Sequence, residues 1–259
     1  MGNEITMAFW PPNAPTLFSI AVDAAKRLSG AAPRAGGYKD ALVSLVFAAA
    51  SLEAFLNEIA YLAGGKNSFR APEPAIVSAF AQVMEEAEES RASIQSKFQL
   101  GNLALTGTTY DKGSAPYQEF SDLIAVRNLL MHGKSNERFS RVGDKPVMLN
   151  PASVLDRLAS KNLLHEAPPE HQKGFVAIAG ESFIAEVLRN EELEGMFPKD
   201  VGDRMMTRWT FVIGTRAVAE WACTTVSSMA SDLIDKAPPG RWKEIMEAQF
   251  GKAFATPFA

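Results

Sequence analysis

The first half of the chain alternates apolar segments with short polar or Gly/Pro-rich breaks, a pattern typical of α-helices joined by turns. Within each segment, apolar residues recur every three or four positions. The predicted elements are Thr16–Leu28, Tyr38–Ala63, one long or two broken helices over Ala75–Leu105, and a helix that begins near Ser114 and ends at about Met131.

The segment Tyr38–Ala63 differs from the others because nearly all of its residues are apolar. Gly64 and Gly65 follow it, as expected at a helix end. A helix with so little polar surface is predicted to lie at the centre of the fold. Three polar residues near its end, Glu53, Asn57 and Glu58, therefore require an explanation.

The second half has a weaker pattern between Lys134 and Val201 and a strong one after it. The predicted elements there are short strands at Val147–Leu149 and Phe175–Ile178, which could form a hairpin, a short helix over Ala152–Leu164, a long helix over Asp203–Asp235, and a terminal helix over Arg241–Phe250. Together they predict a mainly α-helical antiparallel bundle, one domain over residues 1–259, with a small irregular insertion at about 140–200.

Composition excludes several classes of protein. Of 259 residues, 47% are hydrophobic and 22% are charged, which excludes general disorder. The net charge of −4 gives no global attraction to nucleic acid, so any such site would have to be local. A single cysteine, Cys223, lies in an apolar segment and can form neither an internal disulfide nor a cysteine-based zinc site. Burial as a small hydrophobic residue is its expected role.

The sequence predicts a cytoplasmic protein without a membrane anchor. The N-terminal segment lacks the basic residues of an export signal, and three prolines interrupt it. The most apolar stretch, Ala41–Leu52, is about a dozen residues long and stops at Glu53, whereas a membrane span needs about 20 residues.

Familiar catalytic motifs do not occur. The chain has no P-loop, no dinucleotide-binding glycine motif, no nucleophile elbow and no H-E-x-x-H sequence. His165 and His171 flank Pro168-Pro169 and so do not share a helical face, which favours a loop over a metal site. No metal and no cofactor is predicted.

The most informative segment is Leu123–Lys134, in which Arg127 and His132 interrupt an apolar helix close to its end. Both side chains are costly to bury without partners. A helix-end histidine next to a surface arginine is the simplest account, and spacing alone does not exclude it.

The segment Arg127–His132 resembles the motif of the HEPN superfamily, whose ribonuclease members carry an Arg and a His separated by four to six residues. Asn128 stands at the position that is usually polar in that motif. Three further segments resemble HEPN proteins: Ser51–Glu58 on the long apolar helix, Pro116–Phe120 before the motif, and the late helix Trp209–Ala222. The resemblance covers residues 38–135 well and 203–236 loosely.

The resemblance implies a metal-independent endoribonuclease. His132 would exchange protons with the ribose 2′-OH or the leaving 5′-oxygen, and Arg127 would bind the phosphate. Asn128 is one turn before His132 and could orient the imidazole or bind a phosphate oxygen. Arg127 and His132 are about 140° apart around one helix, so a single helix does not present both to one phosphate. HEPN enzymes pair two copies so that both motifs line one cleft, and the resemblance therefore implies a homodimer.

Supporting residues are expected on both sides of the motif. Glu53 could pair with Arg127, or it could be exposed or purely structural, and Asn57 lies one turn further along. The basic residues Lys134, Arg138 and Arg141 could guide an RNA backbone, although a solvated loop without a role is an equal alternative.

Three functions are therefore compared. The first is a HEPN-like endoribonuclease that leaves a 2′,3′-cyclic phosphate, in the setting of a toxin with a protein antitoxin or a phage-defence effector. The second is a non-catalytic HEPN-fold dimer that binds RNA or nucleotides or has a regulatory role. The third is an unrelated helical interaction protein.

Overall fold

Helices dominate the part of the chain that the computed structural model describes, which comprises residues 12–28, 37–65, 74–131, 139–142, 145–148, 152–164, 213–255 and 258. The predicted mainly α class is confirmed. The helices are α1 (Asn13–Arg27), α2 (Gly37–Gly64), α3 (Ala75–Glu89), α4 (Ile94–Thr106), α5 (Tyr117–Met131), α6 (Ala152–Ser160), α7 (Arg216–Lys236) and α8 (Arg241–Met246), which continues into a π-helical turn, Glu247–Gly251. Two short strands, β1 (Phe139–Val142) and β2 (Lys145–Met148), lie between α5 and α6.

The apolar helix α2 lies in the core, as its composition predicts. Helices α1 and α7 pack along it, and α3 and α5 also contact it. Leu52, Phe55 and Ile59 are fully buried, and each such side chain contributes about 1.5–3 kcal/mol to folding. The indole N–H of Trp242 in α8 donates to the Ile59 carbonyl at 3.1 Å, and the ring of Phe250 packs edge-on against Phe55.

Helix α2 confirms the predicted helix Tyr38–Ala63 to within one residue at each end, and so continues beyond the most apolar stretch and past Glu53. By length and composition alone, the segment Lys39–Gly64 is apolar enough to cross a membrane. Half of the 18-residue stretch on which this depends is buried inside the protein. Core helices of soluble proteins satisfy the same criterion. This helix therefore neither supports nor excludes a membrane.

Helix α1 begins three residues earlier than its sequence pattern predicts, because α2 supplies its N-terminal cap. Pro12 precedes the helix and offers no side-chain acceptor. The Glu58 carboxylate instead accepts hydrogen bonds from the backbone N–H groups of Asn13 at 2.6 Å and Ala14 at 3.3 Å. These are two of the N–H groups that a helix leaves without internal partners. The polar residue Glu58 on an apolar helix is thereby explained.

The segment Ala75–Leu105, predicted as one long or two broken helices, forms two helices, α3 and α4. Arg91 adopts a left-handed conformation with φ of 54°, and the backbone N–H of Ala92 donates back to the Ala87 carbonyl at 2.8 Å. This arrangement ends α3. Ser93 then caps α4, since its hydroxyl accepts from the Ser96 N–H at 3.1 Å.

Helix α7 begins at Arg216, later than the predicted start at Asp203. Gly214 interrupts the helical backbone, and the Thr215 hydroxyl caps the new helix by accepting from the Val218 N–H at 3.0 Å. Residues 203–212, which include Trp209, lie outside the described residues.

The insertion contains one hairpin that differs from the expected one. Strand β2 overlaps the predicted strand Val147–Leu149, but its partner is β1, in a segment for which no strand was predicted. The strands are antiparallel, with Phe139 opposite Met148 and Val142 opposite Lys145. The other predicted strand, Phe175–Ile178, lies outside the described residues.

Helix α6 matches the predicted helix at its start but ends four residues earlier. Asn162 has a φ of 55°, and the backbone N–H of Leu163 donates back to the Leu158 carbonyl at 3.1 Å. Asparagine tolerates this left-handed conformation, which explains why the helix ends here.

The Glu58 cap leads to a stability prediction. Glu58→Ala leaves two backbone donors of α1 without a side-chain partner and is expected to lower the free energy of unfolding by about 1 kcal/mol. Glu58→Gln keeps a side-chain acceptor and should retain most of the stability. Urea unfolding at neutral pH measures both, with Glu85→Ala on the exposed face of α3 as control. Equal stability of Glu58→Ala and the control variant would contradict the capping role.

The Glu58 carboxyl group also makes the free energy of unfolding depend on pH, in a direction that follows from its pKa. Burial raises the pKa of Glu58, and the two backbone hydrogen bonds only partly offset this. A raised carboxyl pKa means that the unfolded chain releases this proton more readily, so stability falls as pH rises through the pKa. Wild type is therefore expected to gain stability relative to Glu58→Gln as pH is lowered from neutrality through the raised pKa of Glu58, and the gain should be complete at the ordinary glutamate pKa. A relative loss of stability at low pH would refute this sign.

Candidate functional site

The candidate site forms where α5 crosses α2. The Arg127 guanidinium of α5 lies 3.8 Å from the Glu53 carboxylate of α2, measured from Nη2 to Oε2. The side chain of Arg127 is 30% exposed and that of Glu53 is 47% exposed, so both reach solvent. The contact expected between these two residues is therefore present. Glu53 gives the helix-end arginine a partner while keeping it at the surface.

Asn128 forms the other side of this site. Its Oδ1 accepts a hydrogen bond from Nη1 of Arg127 at 3.0 Å. The sequence left it to orient His132 or to bind a phosphate oxygen; its partner within the described residues is the preceding arginine, and His132 lies outside them. Within the described part of the chain, this is the one hydrogen bond that the guanidinium donates, because 3.8 Å to Glu53 is an ion-pair distance. Arginine has five N–H donors in a planar fork, so it retains donors for an anion.

The other residues predicted for the site are placed less completely. Asn57 is exposed on α2, one turn after Glu53, and has no hydrogen bond to Arg127. His132, Lys134 and Arg138 lie outside the described residues. The backbone of Arg141 lies in β1, opposite Pro146, and its side chain is also outside the described part.

An ion pair that the sequence did not indicate joins a buried carboxylate of α5 to a partly exposed arginine of α6. Asp122 precedes the motif on α5, and only 3% of its side chain is exposed. Arg157 of α6 binds one of its carboxylate oxygens through Nε at 2.8 Å and Nη2 at 2.6 Å. The second oxygen, Oδ2, is buried without a hydrogen bond and lies 3.8 Å from Nζ of Lys161. The charge of Asp122 is thus compensated mainly by one arginine.

Glu119 extends this network to α7. It accepts hydrogen bonds from Lys161, the residue that follows α6, and from the indole N–H of Trp221 of α7, both at 2.5 Å. Glu119 and Asp122 lie about one turn apart on α5, and the sequence shows that both are acidic. Their partners are 35 to 102 residues away along the chain, so no local pattern could identify them.

A second polar cluster lies between the α4–α5 connection and α7. The Tyr110 hydroxyl donates to Asp232 at 2.5 Å, Lys236 binds the same carboxylate oxygen, and its ammonium lies 4.1 Å from the centre of the Tyr110 ring. Burial, followed by the hydrogen bond to Asp232, raises the pKa of Tyr110 far above its usual value. The phenol therefore remains neutral and holds the connection in place.

Cys223 is completely buried, as predicted. Its Sγ lies 3.5 Å from the hydroxyl of Ser44 on α2. Burial raises its pKa to about 11, so the thiolate needed of a nucleophile is not formed near neutral pH. Among the described residues, no group of three or more His, Cys, Asp and Glu side chains could hold a metal ion. His165 and His171 lie outside that part of the chain.

Comparison with known proteins identifies no relative of this chain. No protein-family model matches the chain, and no curated protein and no solved structure shows significant similarity to it. The HEPN resemblance therefore depends on the residues of the motif and its neighbouring helices.

The α5–α6 ion pair is expected to stabilise the protein. Asp122→Asn removes the charge that Arg157 binds and should lower the free energy of unfolding by about 1.5–3 kcal/mol, as for hydrogen bonds to charged groups. Asp23→Asn, on the exposed face of α1, is the matched control and should change stability by less than about 0.5 kcal/mol. Urea unfolding compares them. Indistinguishable midpoints would show that the pair contributes nothing net.

Proposed function

We propose that the protein is a metal-independent endoribonuclease of the HEPN type, with a HEPN-like arrangement of its helices. The observation that carries this proposal is the surface position of Arg127, held between the Glu53 carboxylate and the Asn128 amide. An arginine bound on two sides is kept in a defined orientation while its remaining donors reach solvent. That is the arrangement needed to bind a phosphate.

In the proposed reaction the ribose 2′-oxygen attacks the adjacent phosphorus while the 5′-oxygen of the next nucleotide leaves. His132 accepts the 2′-OH proton as general base or donates a proton to the leaving oxygen as general acid. Arg127 binds the non-bridging phosphate oxygens, where negative charge develops. The products are a 2′,3′-cyclic phosphate and a free 5′-OH.

The proposal includes a homodimer. One helix does not present Arg127 and His132 to a single phosphate, because five residues correspond to about 140° around the axis. Two copies would place both motifs in one cleft, as in the superfamily that the motif resembles. By the same resemblance the protein would be cytoplasmic and act as a toxin restrained by a protein antitoxin, or in phage defence. Lys134, Arg138 and Arg141 would contact the RNA backbone beside the cleft.

A non-catalytic module that binds RNA or nucleotides is the second candidate. The observation that favours it is the ion pair itself, since Glu53 offsets part of the positive charge of Arg127. A chain with net charge −4 would then have only a weak local attraction for RNA. Binding without cleavage would identify this function.

The catalytic roles predict a specific pattern of activity. In EDTA, wild type should cleave labelled RNA and leave 2′,3′-cyclic phosphate ends. Arg127→Ala should reduce kcat by about 10²–10³-fold, and His132→Ala by about 10²–10⁴-fold. Arg216→Ala is the matched control, because Arg216 is exposed and, within the described part of the chain, pairs with Glu220 one turn away on α7.

The outcomes separate the candidates. Cleavage that both site variants lose, with folding and oligomeric state unchanged, supports the nuclease. Equal cleavage by all variants would show that another site or a contaminant is responsible. Saturable RNA binding without cleavage by wild type would favour the non-catalytic module.

Glu53 is expected to act as a positioning residue for Arg127. Because the pair is partly exposed, Glu53→Gln should change the free energy of unfolding by less than about 1 kcal/mol. A loosened guanidinium should nevertheless lower kcat by about ten- to a hundred-fold while KM changes little. Glu53→Asp retains the carboxylate and should recover part of the loss. A stability loss without a kinetic effect would make Glu53 purely structural.

A further inference from the structure

The surface of α2 next to the candidate site carries an unusual aromatic residue. Tyr61 is 83% exposed, the highest value among the large apolar side chains of the described residues; Met131 follows at 56% and Leu103 at 43%. An exposed tyrosine on a helix that is otherwise mostly apolar and buried is not part of the core. No hydrogen bond or ring contact involves its side chain within the described part of the chain.

Tyr61 lies on the same side of α2 as the residue that binds Arg127. Glu53, Asn57 and Tyr61 follow one another at intervals of four residues, and all three are exposed. Residues at this spacing are neighbours on a helix surface. From Glu53 to Tyr61 the helix rises about 12 Å. An open strip of a carboxylate, an amide and an aromatic ring therefore runs from the candidate phosphate site along α2.

We infer that this strip is the binding site for a nucleotide next to the scissile phosphate, with Tyr61 stacking on an unpaired base. The inference rests on the proposed function, since it takes Arg127 as the phosphate-binding group. Proteins recognise single-stranded RNA by stacking splayed bases on aromatic side chains and by hydrogen bonds to base edges. Asn57 provides an amide donor and an acceptor for such an edge. The substrate class is thus single-stranded RNA.

The composition of the strip favours a base over a second copy of the chain as the occupant. The centre of a stable protein interface is depleted of charged residues. Here the aromatic ring follows a carboxylate and an amide on its own helix, and both are exposed. A single ring with polar neighbours matches the requirement of one base, which needs a flat surface and edge partners.

The test measures binding without cleavage. A fluorescein-labelled 2′-O-methyl oligouridylate of about twelve nucleotides lacks the 2′-OH needed for reaction, and fluorescence anisotropy gives its Kd. Tyr61→Ala and Tyr61→Leu should weaken binding by about five- to 150-fold, the equivalent of about 1–3 kcal/mol for one stacked base. Tyr61→Phe keeps the ring and should bind within about twofold of wild type.

Two controls isolate stacking. Leu103→Ala truncates another exposed apolar side chain, on α4, and should leave Kd unchanged. An abasic strand with the same backbone should bind wild type and Tyr61→Ala equally. Equal Kd values for wild type, Tyr61→Ala and Tyr61→Leu on the oligouridylate, or no saturable binding by wild type, would overturn the assignment. So would a change of oligomeric state in Tyr61→Ala by light scattering, since it would place the ring at an interface between copies.

The results also distinguish failure of this inference from failure of the proposed function. Ring-dependent binding together with an absence of cleavage of natural RNA would retain the stacking site and reject the nuclease. Cleavage that depends on Arg127, with Kd and KM unchanged in Tyr61→Ala, would retain the nuclease and reject the stacking site.

Discussion

The burial of α2 is the constraint on which the rest of the structure depends. A 28-residue helix that is apolar on nearly every side must be covered on several sides, and α1, α3, α5 and α7 contact it. The stabilisation comes from fully buried side chains such as Leu52 and Phe55, at about 1.5–3 kcal/mol each. The few polar side chains of α2 must therefore lie at the edges of the surface that these neighbouring helices cover. Helix α2 thereby determines where charged groups of other helices can approach it.

Each polar residue near the end of α2 accordingly has a separate environment. Glu58 faces α1 and supplies the acceptor that Pro12 lacks, whereas Glu53 faces α5 and meets Arg127. Asn57, between them in sequence, is exposed. Helix α2 thus caps the N-terminus of α1 through one side chain and positions the candidate anion-binding arginine of α5 through another. A change in the packing of α2 would be transmitted to both.

The sequence predicted what depends on local patterns and missed what depends on distant partners. Periodicity located the described helices to within about four residues, apart from the start of α7, and the mismatch of Arg127 with an apolar helix indicated the candidate site. The Arg157–Asp122 and Tyr110–Asp232 contacts join residues 35 and 122 positions apart. No helical or strand period relates such positions, so only the packed structure identifies them. Helix ends were missed for the same reason where the cap came from another helix.

Helix α5 separates its structural charges from its candidate functional ones. Asp122 is nearly completely buried and is bound by Arg157, whereas Arg127, about 140° further round the same helix, reaches solvent beside Glu53. Side chains of one helix pair when they are three or four positions apart, so Asp122 and Arg127, which are five apart, do not share a face. Each therefore takes its partner from a different helix, Asp122 from α6 and Arg127 from α2. This rotation lets one charge of α5 fasten α6 while the guanidinium of Arg127 stays at the surface with donors to spare.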